Sequence, residues 1–282
     1  MIRFGPSGNS QLFYEKGNKH TFEAPKWLYD MGLSALEYSF GHGVRMKEDT
    51  AAQIRAEAEK YKITLSVHAP YYINLGAGDA SFEKNLLYIE QSVQAARLLG
   101  ADRVVIHPGA LAGLTRERAL ANTVESLDKI FKTLTEKGHT DVLYCPETMG
   151  KINQIGDLEE IAQMCALDDR IYPTIDFGHL HARSLGGIKG KEDYAKIIGF
   201  LENAIGKEKT NAMHVHFSKI EFTQAGEKMH RIFSDKGFGP DFEPLAELLA
   251  EKDMSPRMIC ESRGTQDVDA KAMMEIYNDK RQ

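Results

Sequence analysis

Short apolar runs alternate with longer amphipathic segments along the whole chain of 282 residues. The short runs are rich in β-branched and apolar residues and end at polar or glycine-containing turns, which predicts buried strands. The predicted strands lie at 1–5, 34–39, 62–68, 103–107, 141–146, 171–176, 211–217 and 257–261.

The longer segments repeat apolar residues at three- and four-residue intervals, the spacing that places side chains on one face of a helix. In 82–99, Leu86, Ile89 and Val93 follow this spacing, and Gly100 comes directly after the segment as a C-terminal cap. The other predicted helices lie at 22–32, 47–60, 115–137, 157–166, 191–206, 241–252 and 266–280.

Eight strand–helix pairs without a long linker predict an α/β fold, a closed (β/α)₈ TIM barrel that forms a single domain over residues 1–282. A doubly wound open sheet is the alternative. Such a sheet usually carries a glycine-rich phosphate loop after its first strand. The turn at 5–9 reads GPSGN, which does not match the GxGxxG pattern, so the barrel is favoured.

Composition narrows the class of protein. Hydrophobic residues make up 42% and charged residues 27%, values that predict a folded chain with a sizeable core. The net charge of −6 gives no general attraction to nucleic acid, although a local basic rim is compatible with it. Cys145, Cys165 and Cys260 are far apart, which predicts reduced thiols. We expect a cytoplasmic protein, because neither an apolar membrane span nor a secretory signal is evident.

Histidines and carboxylates occupy the ends of six predicted strands. In a barrel, the carboxyl ends of the strands meet on one face, so residues far apart in sequence converge there. A buried charge without a partner is costly, which makes six chance placements in a core improbable. The residues concerned are His68, His107, Glu147, Asp176, His179, His214, His216 and Glu261.

This mixture of imidazoles and carboxylates, without a cluster of thiolates, suits Zn²⁺, Mn²⁺ or Fe²⁺. Carboxylates can bridge two cations, and neighbouring cations can together activate a water and stabilise a leaving oxygen. Glu147 and Glu261 are our candidates for catalytic carboxylates. The pattern therefore predicts a metal-dependent enzyme.

Six segments resemble the motifs of endonuclease IV, the second family of abasic-site endonucleases, and they occur in the family's order. Together they span most of the chain, from residue 67 to residue 262. The segments are 67–75 (VHAPYYINL), 106–110 (IHPGA), 146–150 (PETMG), 175–182 (IDFGHLHA), 214–219 (HVHFSK) and 260–262 (CES).

The resemblance implies a divergent member of that family, within the wider xylose isomerase-like superfamily of TIM barrels. It implies a trinuclear zinc site and base-excision repair of DNA, with cleavage 5′ to an abasic residue by a metal-activated hydroxide. It also implies three ligand groups, two of which share Glu147. The groups are His68, His107 and Glu147; Glu147, Asp176, His214 and Glu261; and His179 with His230.

The sequence departs from the family's pattern at specific positions. The third group of the family uses an Asp-x-His pair, but here Lys228 occupies the aspartate position before His230. Glu227 and Asp235 are nearby carboxylates that do not keep the spacing. His216 stands where the family commonly has asparagine. We therefore expect two to three Zn²⁺ ions, with Mn²⁺ or Fe²⁺ as alternatives.

Four residues in loops after strands are candidates for contacting the substrate: Arg45, Tyr71, Lys219 and Arg231. Of these, Tyr71 matches a tyrosine that lies near the abasic nucleotide in the family. A flipped-out nucleotide would be needed for cleavage at an abasic site. The expected partner is DNA that contains abasic sites, and we expect a monomer.

Two other functions remain open. The first is a sugar isomerase or epimerase with one divalent metal ion, in which Glu147 and Glu261 transfer protons. The second is a barrel that binds DNA or another ligand without catalysis. Metal stoichiometry separates the first alternative from the endonuclease hypothesis, because a single bound ion opposes a trinuclear site.

Overall fold

A computed structural model describes residues 2–281 of the chain. Every predicted strand is present within the described residues. Seven are shorter than predicted by one to three residues at one end, and the first, predicted at 1–5, is found at Arg3–Pro6, with Met1 outside the described residues. In chain order, the strands are β1 (Arg3–Pro6), β2 (Ala35–Ser39), β3 (Thr64–His68), β4 (Arg103–Ile106), β5 (Leu143–Pro146), β6 (Thr174–Asp176), β7 (His214–Phe217), β8 (Lys219–Thr223), β9 (Gly226–Arg231) and β10 (Arg257–Cys260).

Eight parallel strands form the barrel in two arcs. One arc has the order β2-β3-β4-β5, and the other has the order β1-β10-β7-β6. Parallel bridges join the arcs at both seams, between Ser7 and Glu37 beyond β1 and between Glu147 and Thr174 beyond β5. The ring therefore closes as the sequence predicts, and the carboxyl ends of all eight strands meet on one face.

Helices surround the ring and cover its apolar outer surface. Helices α1, α7 and α9 are short and were not predicted. The helices are α1 (Gln11–Glu15), α2 (Ala24–Asp30), α3 (Glu48–Tyr61), α4 (Phe82–Leu99), α5 (Arg116–Glu136), α6 (Leu158–Cys165), α7 (Phe177–Arg183), α8 (Lys191–Ile205), α9 (Lys207–Asn211), α10 (Glu243–Glu251) and α11 (Gln266–Arg281).

Helix α4 shows why the sequence predicts these elements. Its stripe of Ile89, Val93 and Ala96 is fully buried, as the helical spacing requires. Gly100 ends the helix in the left-handed region, with φ of 72°, where a residue without a β-carbon is not strained. Among the helices of residues 2–281, none combines the length and the apolar character that crossing a membrane demands.

The hairpin of β8 and β9 lies outside the ring of eight and was not predicted. Its strands are antiparallel, and their register shifts by one residue between Glu221 and Phe222. Glu221 pairs with Met229 and Phe222 pairs with Glu227, so Lys228 is an extra residue on β9. This extra residue is a β-bulge, which bends the strand and changes which side chains share a face.

Candidate metal centre

The first ligand group joins the ends of three neighbouring strands. Nε2 of His68 and Nε2 of His107 each lie 3.1 Å from Oε2 of Glu147. The other ring nitrogen of His68 lies 2.8 Å from the carbonyl oxygen of Ala69. Donation of this Nδ1–H to the carbonyl leaves the lone pair of Nε2 for a metal ion, a common arrangement around bound metals.

The second group surrounds the other oxygen of Glu147. Asp176, His216 and Glu261 each bring a ligand atom to Glu147, and these four atoms lie within 4.8 Å of one another. Nδ1 of His216 is 3.1 Å from Oε1 of Glu147 and 3.6 Å from Oε1 of Glu261. Glu147 is therefore common to both groups and would be shared by the ions that they could hold.

Asp176 shows that the second group fits a cation. One of its oxygens, Oδ1, accepts the backbone N–H of His179 at 2.7 Å. The other, Oδ2, is buried and has no hydrogen-bond partner within residues 2–281. Its nearest cationic neighbour is Nδ1 of His179 at 3.5 Å. A buried carboxylate oxygen without a hydrogen bond costs free energy that coordination to a cation removes.

The third group consists of His179, Glu227 and His230. Oxygens of Glu227 lie 3.5 Å from Nε2 of His179 and 3.8 Å from Nε2 of His230. Each imidazole is held by its other nitrogen. Nδ1 of His179 lies 2.8 Å from the carbonyl of Thr148, and Nδ1 of His230 lies 2.8 Å from Oγ of Ser218.

The bulge on β9 explains how Glu227 enters this group. In a regular strand, residues three apart point to opposite faces. The extra residue Lys228 removes one step of that alternation, so Glu227 and His230 share a face. Lys228 is 53% exposed and pairs with Glu221 instead. Glu227 and His230, three residues apart, therefore stand close together where the resemblance implied an Asp-x-His pair.

Charges at the centre are strongly coupled. Burial alone would raise the pKa of the Glu147 carboxyl, but His216 and His107 outweigh burial and hold that pKa well below its ordinary value. Burial alone would lower the pKa of His68. The neighbouring carboxylate of Glu147 outweighs burial and raises that pKa to about 9. Burial raises the pKa of Asp176. Negative charge concentrated in a buried space suits divalent cations.

The two histidines of β7 have different environments. The resemblance implied a ligand at His214 in the second group, whereas the structure places His216 beside Glu147 and Glu261. His214 lies deeper, where its Nε2 is 2.9 Å from Oε2 of Glu37. Glu37 was not among the predicted site residues, although a glutamate within a buried strand is itself an unusual signal.

The four candidate substrate contacts divide into two pairs. Arg45 is exposed, and so is Tyr71, whose ring centroid is 6.3 Å from that of His107. Lys219 instead donates to the carbonyl of Asp235 at 3.0 Å. Arg231 forms an ion pair with Glu221. Arg45 and Tyr71 are therefore available to a ligand, while Lys219 and Arg231 stabilise the hairpin and the loop after it.

Aromatic side chains form a rim beside the first group. The ring of His42 lies 5.8 Å from that of Tyr71 and 6.2 Å from that of Tyr72, between centroids. Nδ1 of His42 is also 3.2 Å from the hydroxyl of Tyr72. These three residues, which we call the aromatic rim, connect the loops after β2 and β3.

A cleft of about 400 Å³ borders the second and third groups, with Glu261 and His230 in its lining. Arg263 provides an exposed positive charge there, and its guanidinium contacts the sulfur of Met229 at 3.5 Å. This arginine was not among the residues predicted to contact the substrate. The cleft is lined by Ser7, His230, Glu261, Ser262, Arg263, Gly264 and Gln266.

Comparisons with known proteins agree with this architecture. An uncharacterised protein of Methanocaldococcus jannaschii is 34% identical over 260 residues, 92% of each chain. A probable endonuclease 4 of Oceanobacillus iheyensis is 31% identical over 162 residues, a match that spans about half of either chain (55% of this one and 52% of the relative).

Solved structures share the fold. Endonuclease IV from Thermus thermophilus superposes with a TM-score of 0.69 and 21% identity over 99% of each chain. A D-tagatose 3-epimerase-like protein superposes with a TM-score of 0.71 and 18% identity, also over 99% of each chain. The model of the xylose isomerase-like TIM barrel family matches residues 25–279. The chain therefore belongs to the xylose isomerase-like TIM barrel family, as a divergent relative of endonuclease IV.

Proposed function

We propose that this protein is a metal-dependent phosphodiesterase that cuts DNA on the 5′ side of abasic sites in base-excision repair. Four clusters of histidines and carboxylates in the described residues could hold a cation, and the proposal rests on three of them. Two of these three share the carboxylate of Glu147, and His230 of the third lies 3.9 Å from Glu261 of the second. Such a chain of groups suits several adjacent cations, and adjacent cations serve phosphoryl chemistry. The similarity to endonuclease 4 sequences supports the same reaction class.

We assign the ions to the three groups described above, with His216 in place of His214. Zn²⁺ is our preferred ion because imidazole and carboxylate donors dominate and no thiolate contributes; Mn²⁺ and Fe²⁺ suit the same donors. A bound divalent ion supplies Lewis acidity and lowers the pKa of a bound water toward neutrality. Glu147 and Glu261 lie where they can orient the attacking water, since both border the second group.

The rim of the barrel supports DNA as the partner. Aromatic side chains stack on bases or on exposed sugar rings, and the aromatic rim presents Tyr71 and Tyr72 at about half of their full exposure. Arg45 and Arg263 offer exposed guanidinium groups on different sides of the centre for backbone phosphates. A nucleotide turned out of the duplex would reach the buried ligand groups.

A sugar epimerase is the second candidate, because the second group alone resembles a complete mononuclear site. Glu147 and Glu261 flank His216 there, and paired carboxylates can remove and return a proton on opposite faces of a substrate. The shared fold with a D-tagatose 3-epimerase-like protein fits this candidate as well. The first and third groups would then have no role in catalysis.

One experiment decides between these candidates. The purified protein is incubated with a duplex that contains one abasic site, and in parallel with a ketohexose, before and after chelation. We expect chelator-sensitive nicking and two to three ions per chain. Epimerisation with one ion per chain would instead establish the second candidate, and neither activity under any of Zn²⁺, Mn²⁺ and Mg²⁺ would refute both.

A variant of the shared carboxylate tests whether nicking depends on the metal centre. Glu147→Gln removes the group that joins two of the ligand sets, so we expect loss of nicking together with loss of metal. Glu160→Gln is the matched control, because Glu160 is also a buried glutamate but pairs with Arg116 at 2.8 Å and belongs to none of the ligand groups. We further propose a cytoplasmic monomer whose single domain comprises residues 1–282.

A further inference from the structure

Glu37 is a fully buried carboxylate in the middle of β2, outside the three proposed ligand groups. Its Oε2 accepts the hydroxyl of Ser66 at 2.9 Å and lies 2.9 Å from Nε2 of His214. Its Oε1 lies 2.9 Å from Nε2 of His216. A single carboxylate therefore contacts both histidines of β7 and a serine of β3, across the barrel interior.

The two nitrogens of His216 face opposite directions. Nδ1 faces the carboxylates of Glu147 and Glu261, and Nε2 faces Glu37. Nε2 and the facing oxygen of Glu37 are both buried, and neither has a hydrogen-bond partner with good alignment within residues 2–281. These two atoms lie 2.9 Å apart, so each is the nearest available partner of the other.

We propose that Glu37 is a positioning residue that selects the tautomer and the orientation of His216. Acceptance of the Nε2–H by Glu37 leaves the lone pair of Nδ1 directed at the second group, as metal-binding histidines require. Ser66 and His214 fix the carboxylate by donating to its other oxygen. The inference rests on the proposed metal centre but not on its substrate.

The same geometry gives His214 a role. His214 is completely buried beneath His216 on the same strand and points to the same carboxylate. It therefore acts as a donor that holds Glu37 and does not itself bind an ion of the second group. Removing the anionic acceptor should weaken metal binding by about 10- to 100-fold, the effect typical of lost partners of metal-bound histidines.

The test measures Zn²⁺ affinity by competition with a chromophoric chelator, and it also records the visible spectrum of the Co²⁺-loaded protein. Glu37→Gln keeps the size of the side chain but removes its charge. We expect weaker Zn²⁺ binding and shifted Co²⁺ bands. Glu37→Asp keeps the charge but shortens the reach, so an intermediate affinity is expected; this variant also serves if Glu37→Gln does not fold.

Asp267→Asn is the matched control. Asp267 is also buried, and one of its oxygens accepts a serine hydroxyl and a ring N–H, from Ser10 at 2.6 Å and from Trp27 at 2.8 Å. It does not belong to any of the ligand groups. This variant should lose stability while it keeps the affinity for Zn²⁺ and the Co²⁺ spectrum of the unmodified protein.

Two results would overturn the proposal. The first is wild-type Zn²⁺ affinity and an unshifted Co²⁺ spectrum in both Glu37 variants. The second is loss of one ion per chain in His214→Gln, which would make His214 a ligand. These readouts do not depend on nicking or epimerisation, so failure of the proposed function leaves the role of Glu37 testable.

Discussion

The carboxylate of Glu227 is the acidic member of the third ligand group, and its replacement tests the function assigned to the bulged hairpin. Its oxygens lie 3.5 Å and 3.8 Å from the nitrogens of His179 and His230. Glu227→Gln keeps the size of the side chain and removes its charge. We expect the third ion to be lost while the first two groups, which do not include this residue, keep theirs.

The size of the effect follows from electrostatics. A divalent ion and a carboxylate about 4 Å apart attract by about 8 kcal/mol at an effective dielectric constant of about 20. The Glu227 side chain is 17% exposed, so solvent screens part of this attraction. If screening halves it, about 4 kcal/mol remains, which is about a thousandfold in the dissociation constant.

Lys228→Asp is the companion variant, because it restores the aspartate that the family's spacing requires. The structure predicts no gain of an ion, since this position faces Glu221 and not the two histidines. Elemental analysis after dialysis against a weak chelator measures ions per chain in both variants. Retention of every ion by Glu227→Gln, or one added ion in Lys228→Asp, would refute the assignment of the bulge.

Three other predictions follow from charges and burial. In the metal-free protein, Glu147 raises the pKa of His68 to about 9 despite burial. Below that pH the imidazole of His68 is protonated, so a metal ion that binds it must displace this proton. Zn²⁺ affinity should therefore rise about tenfold per pH unit up to about pH 9, with proton release detectable by calorimetry in two buffers. Burial raises the pKa of Cys145 and Cys260 to about 12; at pH 8 both thiols should resist iodoacetamide until the protein unfolds, and rapid labelling of the native protein would contradict this. Arg263→Gln should raise the KM for abasic DNA about tenfold with little change in kcat, because a phosphate contact made in the ground state is lost; an unchanged KM would remove Arg263 from the substrate site.

The barrel itself could be predicted because its determinants are local. Each strand is a short apolar run and each helix carries its own apolar stripe, as in α4. The convergence of His68, His107 and Glu147 also followed from the sequence, since strand ends of one barrel meet on one face. The short helices α1 and α9, with five residues each, were missed because they span less than two turns and show no period.

The choice between His214 and His216 could not be made from sequence. Residues two apart on a strand point to the same face, so both histidines enter the barrel interior and differ only in depth, by about 6.6 Å. The depth of each histidine in the barrel depends on how β7 is staggered against β2 and β5. This stagger cannot be predicted from the local sequence of β7. Glu37 lies 177 residues from His214, and only the closed ring brings them to 2.9 Å.

The hairpin shows why the spacing of residues in the sequence can mislead a prediction of ligands. The expectation of Asp-x-His assumes a regular strand, in which a shift of one residue turns a side chain to the opposite face. On β9 the bulge at Lys228 absorbs that shift, so a carboxylate one position earlier returns to the side of His230. Glutamate is one methylene longer than aspartate, which extends its reach from the displaced position toward His179. A ligand that the linear motif lacks can thus be restored by a backbone irregularity, which the spacing of residues does not reveal.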